Sequence, residues 1–241
     1  MAATQQDRPA LRLHAVVAAE QSLIVDAVCA ALGSSGFDSH REPWPSALPS
    51  PRLEHAEKAH TAGLLVCELQ DWSQIRAAGM ALRRRTIPWA VLTSAPPGPL
   101  WGAVYEHDAR LVVPATTPLE EVVTILTELA ERDSAGGVGG LGDSLQQRLD
   151  YQRQWRELCE RRADLRARAR ALTPREREVL MLLYDGATIA NIAALLQISP
   201  STVRSQVKAV RQKLGVTSQL AAVAAYGSLI RPDPGRPMVR S

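Results

Sequence analysis

The sequence predicts an α/β N-terminal domain on a flavodoxin-like, five-stranded parallel sheet, followed by an all-α C-terminal domain. Three observations predict it. In residues 11–131, short apolar runs alternate with helix-length segments, the pattern of a parallel sheet covered on both faces. Residues 133–144, "DSAGGVGGLGDS", hold five glycines and read as a flexible linker. Beyond the linker the apolar residues recur at helical spacing.

In chain order, "LRLHAVVAA" reads as the first strand and "QSLIVDAVCAALGSSG" as the first helix. "FDSHR" is a short second strand, and "PWPSALPSPR" (43–52), with four prolines in ten positions, is an irregular loop. "GLLVCEL" is followed by the helix "DWSQIRAAGMALRR", "IPWAVLTS" by a segment around "PLWGAVYEHD", and "RLVVPA" by "TPLEEVVTILTELAER". Thr117, Pro118 and Glu120 form a capping signature at that last helix.

Residues 132–171 comprise the linker and a connecting helix. Tyr151, Trp155, Leu158, Arg162, Leu165, Ala169 and Leu172 alternate at spacings of four and three, a heptad seam. An arginine and an alanine on the seam leave two readings, a coiled coil or a lone helix packed on its own domain. Residues 172–230 then hold four short helices. "LTPREREVLMLLYDG" has Thr173, Pro174 and Glu176 as N-cap, first residue and capping-box Glu, with a stripe of Val179, Leu180, Leu183 and Tyr184. "ATIANIAALLQ" has the stripe Ile189, Ile192, Ala193 and Leu196. "ISPSTVRSQVKAVRQKLG" has Ser199 as N-cap, Pro200 as first residue, Gly215 as stop and Val203, Val207, Val210 and Leu214 as its buried stripe. "VTSQLAAVAAYGSLI" is nearly uncharged and either covers the core or pairs with its copy in another chain. Residues 231–241 read as a disordered basic tail.

Charge separates the two halves. Residues 1–132 hold 11 Lys and Arg against 15 Asp and Glu, whereas 133–241 hold 17 against 10. No acid occurs between Asp185 and Asp233, and exposed helix faces ordinarily mix both signs to gain i,i+4 pairs. An acid-free cationic face suits a polyanion. No apolar run approaches the ~20 residues that cross a bilayer, and the polar start lacks a signal-peptide pattern, so a cytoplasmic protein without membrane contact is expected. Cys29, Cys67 and Cys159 lack a CxxC spacing and read as small core residues. Trp44, Trp72, Trp89 and Trp101 either line a pocket or serve packing. There is no phosphate-binding glycine motif, no nucleophile with a matching base and no metal set, so neither an enzyme nor a cofactor or metal is expected.

From about Leu172 to Tyr226 the chain resembles the LuxR/GerE-type helix-turn-helix, through "LTPREREVL", "IANIAALL", "SPSTVRSQV" and "KLGV" in the family's order and spacing. The resemblance implies that the helix with Thr202 and Val203 enters the major groove. It puts Thr202, Val203, Arg204, Lys208, Arg211 and Lys213 at or near double-stranded DNA, although periodicity also reads Val203 as a core residue. Gln206 stands where the family most often has histidine, which implies altered contacts. Arg161, Arg162, Arg166, Arg168 and Arg170 are candidates for further phosphate contacts.

Residues 11–131 resemble a response-regulator receiver domain, so the whole chain resembles a NarL-like response regulator with an atypical, degenerate receiver. Receivers carry a first-strand acidic pair, an acceptor Asp, a hydroxyl and a lysine at the strand ends. Those positions correspond here to Ala19 and Glu20, to Glu68, to Thr93 and to Pro114. The lysine is missing, and the extra methylene of Glu68 takes its oxygen out of in-line geometry. The implied consequence is that aspartyl phosphorylation does not switch this domain. Glu68 is either a permanent negative charge or a plain solvent-facing strand end, and Glu20 with Glu68 makes a poor cation site.

The expected function is sequence-specific transcriptional regulation, as a homodimer on an inverted repeat, since one helix-turn-helix reads only a few base pairs. RNA polymerase and a small-molecule or protein regulator of the receiver-like domain are further candidate partners. The competing expectation is a protein-interaction adaptor that binds another regulator or RNA polymerase, with DNA incidental.

Overall fold

The computed structural model describes residues 13–19, 22–43, 60–83, 87–131 and 143–230. The proline-rich stretch beyond Pro43, the linker glycines, the tail, Trp44 and Glu20 lie outside the described residues. The chain divides into two compact units, one ending at Trp155 and the other starting at Arg156.

The first unit contains β1 (Leu13–Ala19), α1 (Ser22–Ser34), β2 (Phe37–Pro43), β3 (Thr61–Val66), α2 (Trp72–Arg83), β4 (Trp89–Thr93), α3 (Pro99–Tyr105), β5 (Ala109–Pro114) and α4 (Leu119–Glu131). All strand pairs are parallel and the order is β2-β1-β3-β4-β5, the flavodoxin-like order expected. Every residue of β4 is buried, as are the last five of β1 and the first five of β3. Both faces of the sheet are therefore covered. Ala15, Val17, Leu64, Leu92 and Leu111 form one core with Val25, Val28 and Leu32 of α1 and Val122, Ile125 and Leu126 of α4. The alternating residues Val16, Leu65, Val91 and Val112 are equally buried. Gly63 pairs in register with Trp89, and a Cβ on Gly63 would lie 2.3 Å from the indole, so only glycine leaves room for this ring.

β3 ends at Val66, short of the expected Leu69, so Glu68 stands in the loop after the strand. The capping expectation at Thr117 also changes: its hydroxyl donates to the carbonyl of Pro114 (2.7 Å), and α4 starts one residue later than the signature implies. Asp71 caps α2, accepting from the N–H groups of Ser73 (2.8 Å) and Gln74 (3.0 Å).

α5 (Leu145–Arg170) contains the division point. Its first turns pack on the first unit. Trp155 stacks on Trp72 with centroids 4.9 Å apart, and Tyr151 meets the edge of Trp101 at 6.0 Å. Tyr105 donates its hydroxyl to Asp143 (2.7 Å), and Arg148 lies over the Tyr105 ring. Burial, seconded by the Asp143 carboxylate, pushes the Tyr105 phenol far above its ordinary pKa. Trp89 and Trp101 are likewise buried in packing.

The second unit adds α6 (Pro174–Tyr184), α7 (Ile189–Leu195), α8 (Pro200–Leu214) and α9 (Gln219–Ile230). Val179, Leu183, Ile192, Ala193, Val203 and Val207 form one apolar cluster. Leu172, Leu180, Val210, Leu214 and Ala222 form a second, with Leu165 and Ala169 of α5 against it. The heptad seam of α5 is thus covered by its own chain at Tyr151, Trp155, Leu165, Ala169 and Leu172, which favours packing over a coiled coil. Tyr184, expected in the stripe of α6, is 44% exposed and meets the Tyr226 ring edge-on at 5.7 Å. No helix among the described residues is long and apolar enough to cross a membrane.

Candidate nucleic-acid interface

α6, α7 and α8 each start on a hydroxyl. Thr173 accepts from the Glu176 N–H (3.2 Å), while Glu176 Oε2 accepts from the Thr173 N–H (2.8 Å), completing the capping box. Thr188 caps α7 by accepting from the Asn191 N–H, and Ser199 caps α8 by accepting from the Thr202 N–H. All three helices also end alike. At Gly186, Gln197 and Gly215 the backbone turns left-handed, with φ of 86°, 53° and 70°. The following N–H then bonds five residues back, from Ala187 to Leu182, Ile198 to Ala193 and Val216 to Arg211, as in a Schellman ending. Only Gly186 and Gly215 announce this in sequence, since Gln197 carries a side chain into a conformation that favours glycine.

The caps set where α8 starts and stops, and its buried stripe shows where its side chains go. Val203, Val207, Val210 and Leu214 are buried, and Ser201, Thr202, Arg204, Ser205, Lys208 and Gln212 are exposed. Gln206 is half-buried. Val203 has no exposed surface and sits in the apolar cluster with Val179 and Ile192. Lys213 is half-buried, and its ammonium donates to both oxygens of Glu176, at 2.9 and 2.7 Å. Arg211 donates to the carbonyl of Thr217, just past the end of the helix. The remaining cations of α8, Arg204 and Lys208, are exposed and make no ion pair among the described residues.

Glu176 was legible in the sequence as a capping residue and not as a buried charge. It is 6% exposed. Burial alone would raise its pKa, but the Lys213 ammonium and the Thr173 N–H outweigh burial and hold the carboxyl below the ordinary glutamate value. In the second half of α5, Arg168 pairs with Asp164 (2.9 Å) and lies against Gly215, where a Cβ would meet its guanidinium. Arg161, Arg166 and Arg170 are exposed, whereas Arg162 is half-buried.

At the carboxyl edge of the sheet, Ala19 pairs in register with Val66, Val66 with Leu92, and Thr93 with Pro114. Glu68 and Thr93 thereby share one end of the sheet. The Thr93 hydroxyl is buried and accepts from the Ala95 N–H at 3.2 Å, and Ala95 in turn accepts from the Trp101 indole at 2.8 Å. Pro114 is exposed and supplies no cation. Among the described residues no three His, Cys, Asp or Glu side chains come together as a metal-binding group. No disulfide joins Cys29, Cys67 and Cys159, and Cys67 is buried.

Residues 170–225 match the family model for bacterial regulatory proteins of the luxR family, the segment that forms the end of α5 and α6 to α9. The "Probable transcriptional regulatory protein NarL" of Mycobacterium tuberculosis (strain ATCC 25618 / H37Rv) is 30% identical over 173 residues, covering 69% of this chain and 73% of that protein. The chain belongs to the luxR family of bacterial regulatory proteins. It is a NarL-like response-regulator homologue and a transcriptional regulator. A shorter match is the "Probable transcriptional regulatory protein SgaR" of Hyphomicrobium methylovorum, 44% identical over 63 residues, or 26% of this chain and 30% of that one. A structure of the response regulator RcsB in complex with DNA aligns with 90% of this chain and 99% of its own, at 17% identity and a TM-score of 0.40.

Proposed function

We propose that this luxR-family chain is a sequence-specific regulator that binds double-stranded DNA as a dimer and works without aspartyl phosphorylation. The observation that carries the reading is the division of α8: its apolar stripe is buried, and its outer face shows Thr202, Arg204, Ser205 and Lys208 in a stretch without a single acid from Gly186 to Pro232. Arg204 and Lys208 are assigned to phosphates and base edges, and Thr202 and Gln206 to hydrogen bonds in the groove. Arg211 reaches the duplex only if it leaves the Thr217 carbonyl. Val203 and Lys213 are assigned to the fold.

A mobility shift with the DNA upstream of the chain's own gene, in the presence of competitor duplex, tests the reading. A retained, competitor-resistant complex supports a regulator acting on DNA. No shift at low salt, with capture of a regulator or RNA polymerase instead, would point to the adaptor.

For the dimer, α9 offers an uncharged helix whose Leu220 is 76% exposed, while α5 already lies against its own chain. Analytical ultracentrifugation with and without DNA measures it. Phosphorylation independence rests on Glu68 standing past the end of β3, on Thr93 already engaged by Ala95, and on Pro114 in place of a cation. Incubation with acetyl phosphate followed by intact-mass measurement is expected to show no acid-labile adduct, and such an adduct would overturn the reading.

A further inference from the structure

Two neighbours in the first turn of α6 reach the two ends of α8. Arg175 Nη2 donates to the carbonyl of Leu196, the C-cap of α7, at 2.8 Å, while its Nη1 holds Glu178 Oε2 at 2.7 Å. Glu176 grips Lys213 Nζ with both oxygens in the last turn of α8. One residue thus pins the approach to α8 and the next pins its far end. Both bonds are charge-assisted, and the carboxylate of the second is buried.

The valine stripe seats α8 on its neighbours, and the two charge-assisted bonds add directional contacts at its two ends. The angle of α8 matters for reading bases. At the roughly 5–6 Å radius of a helix's side-chain surface, a turn of about 20° moves a tip by about 2 Å. Long cationic side chains can follow a phosphate over that distance, whereas a bidentate contact to a base edge is lost.

We propose that Glu176, through its grip on Lys213, is a positioning residue that sets the register of α8 in the groove, and so governs discrimination between sequences more than total affinity for DNA. The proposal rests on α8 being the groove helix. In it Lys213 is a clamp and not a phosphate contact.

The full-length chain is first used to enrich a duplex from a random-sequence library. The enriched duplex and poly(dI–dC) are then titrated with wild type, Lys213→Met, Glu176→Gln and Lys213→Arg at a temperature where circular dichroism shows each folded. Glu176→Gln keeps an acceptor for the Thr173 N–H and loses the charge, so it stands in should Lys213→Met fail to fold. The expected result is a preference for the enriched duplex that falls about tenfold in Lys213→Met and Glu176→Gln, the scale of one lost base contact. Affinity for poly(dI–dC) and the salt slope should hardly move, and Lys213→Arg should recover most of the preference. Undiminished preference overturns the proposal. So does an equal loss on both DNAs, or a salt slope flattened by about one unit in Lys213→Met, which would make Lys213 a phosphate contact. If wild type enriches no duplex, DNA reading itself fails; if it does and the variants discriminate equally well, only the positioning role fails.

Discussion

Gly102 of α3 lies so close to Tyr151 of α5 that a Cβ on it would stand 2.0 Å from the Tyr151 carbonyl oxygen and 2.8 Å from the Gln152 nitrogen. The obstructing atoms are backbone and cannot rotate away. Helix propensity alone would favour alanine at this site, by about 1 kcal/mol. The clash outweighs that gain. Gly102→Ala is expected to push the first turns of α5 off α3 and to destabilise the first unit by about 1–3 kcal/mol, the range for overpacked sites. All five tryptophans precede Arg156, so tryptophan emission reports on this unit. A red-shifted emission and a lower Tm are the expected readings, and an unchanged spectrum would contradict the close approach.

Gln197 bears a side chain at φ 53°, in the same ending that Gly186 and Gly215 form without strain. Gln197→Gly removes a left-handed penalty of about 1–2 kcal/mol and returns part of it as unfolded-chain entropy. A net gain of about 0.5–1 kcal/mol is expected, read as a higher urea midpoint by far-ultraviolet circular dichroism. Gln197→Val should move it the other way.

Glu176 makes the second unit acid-sensitive in a defined direction. Its folded pKa is lowered, by Lys213 and Thr173 against the opposing pull of burial. The stabilisation is therefore complete above the ordinary glutamate value of about 4.3 and drains away as pH falls from there through the lowered folded value. Far-ultraviolet urea unfolding of wild type and Glu176→Gln at several pH values checks it. The variant should be less stable at pH 7, and the gap should narrow as pH drops below about 4. A gap that stays constant with pH would contradict the charged pair.

The tetrapeptide pattern Thr-Pro-x-Glu occurs twice, and its two fates show how far local sequence reaches. At Thr173 to Glu176 it forms the reciprocal capping box; at Thr117 to Glu120 the hydroxyl turns back to the Pro114 carbonyl at the end of β5. The same local preference met different surroundings. The helix-turn-helix and the buried stripe of α8 were legible because hydrophobic period and cap residues act over a few positions, whereas the strand order followed from the number and alternation of the strands. What was not legible depends on distant partners. Lys213 reads as one more cation on α8 until Glu176, 37 positions earlier in the chain, is seen beneath it. The α5 seam reads equally well as an interchain contact until Trp72 and Trp101 are found against it. Gln197 gave no signal, since glutamine carries no preference for the left-handed backbone that the Ile198 to Ala193 bond closes.

The salt dependence of binding by the full-length chain tests the central claim most directly, with wild type, Arg204→Ala and Lys208→Ala titrated on one enriched duplex at several salt concentrations. Each phosphate contact removed should flatten the slope of log K against log salt by about 0.9, with weaker binding at every concentration. Slopes and affinities unchanged in both variants would contradict the assignment of α8's outer face to DNA.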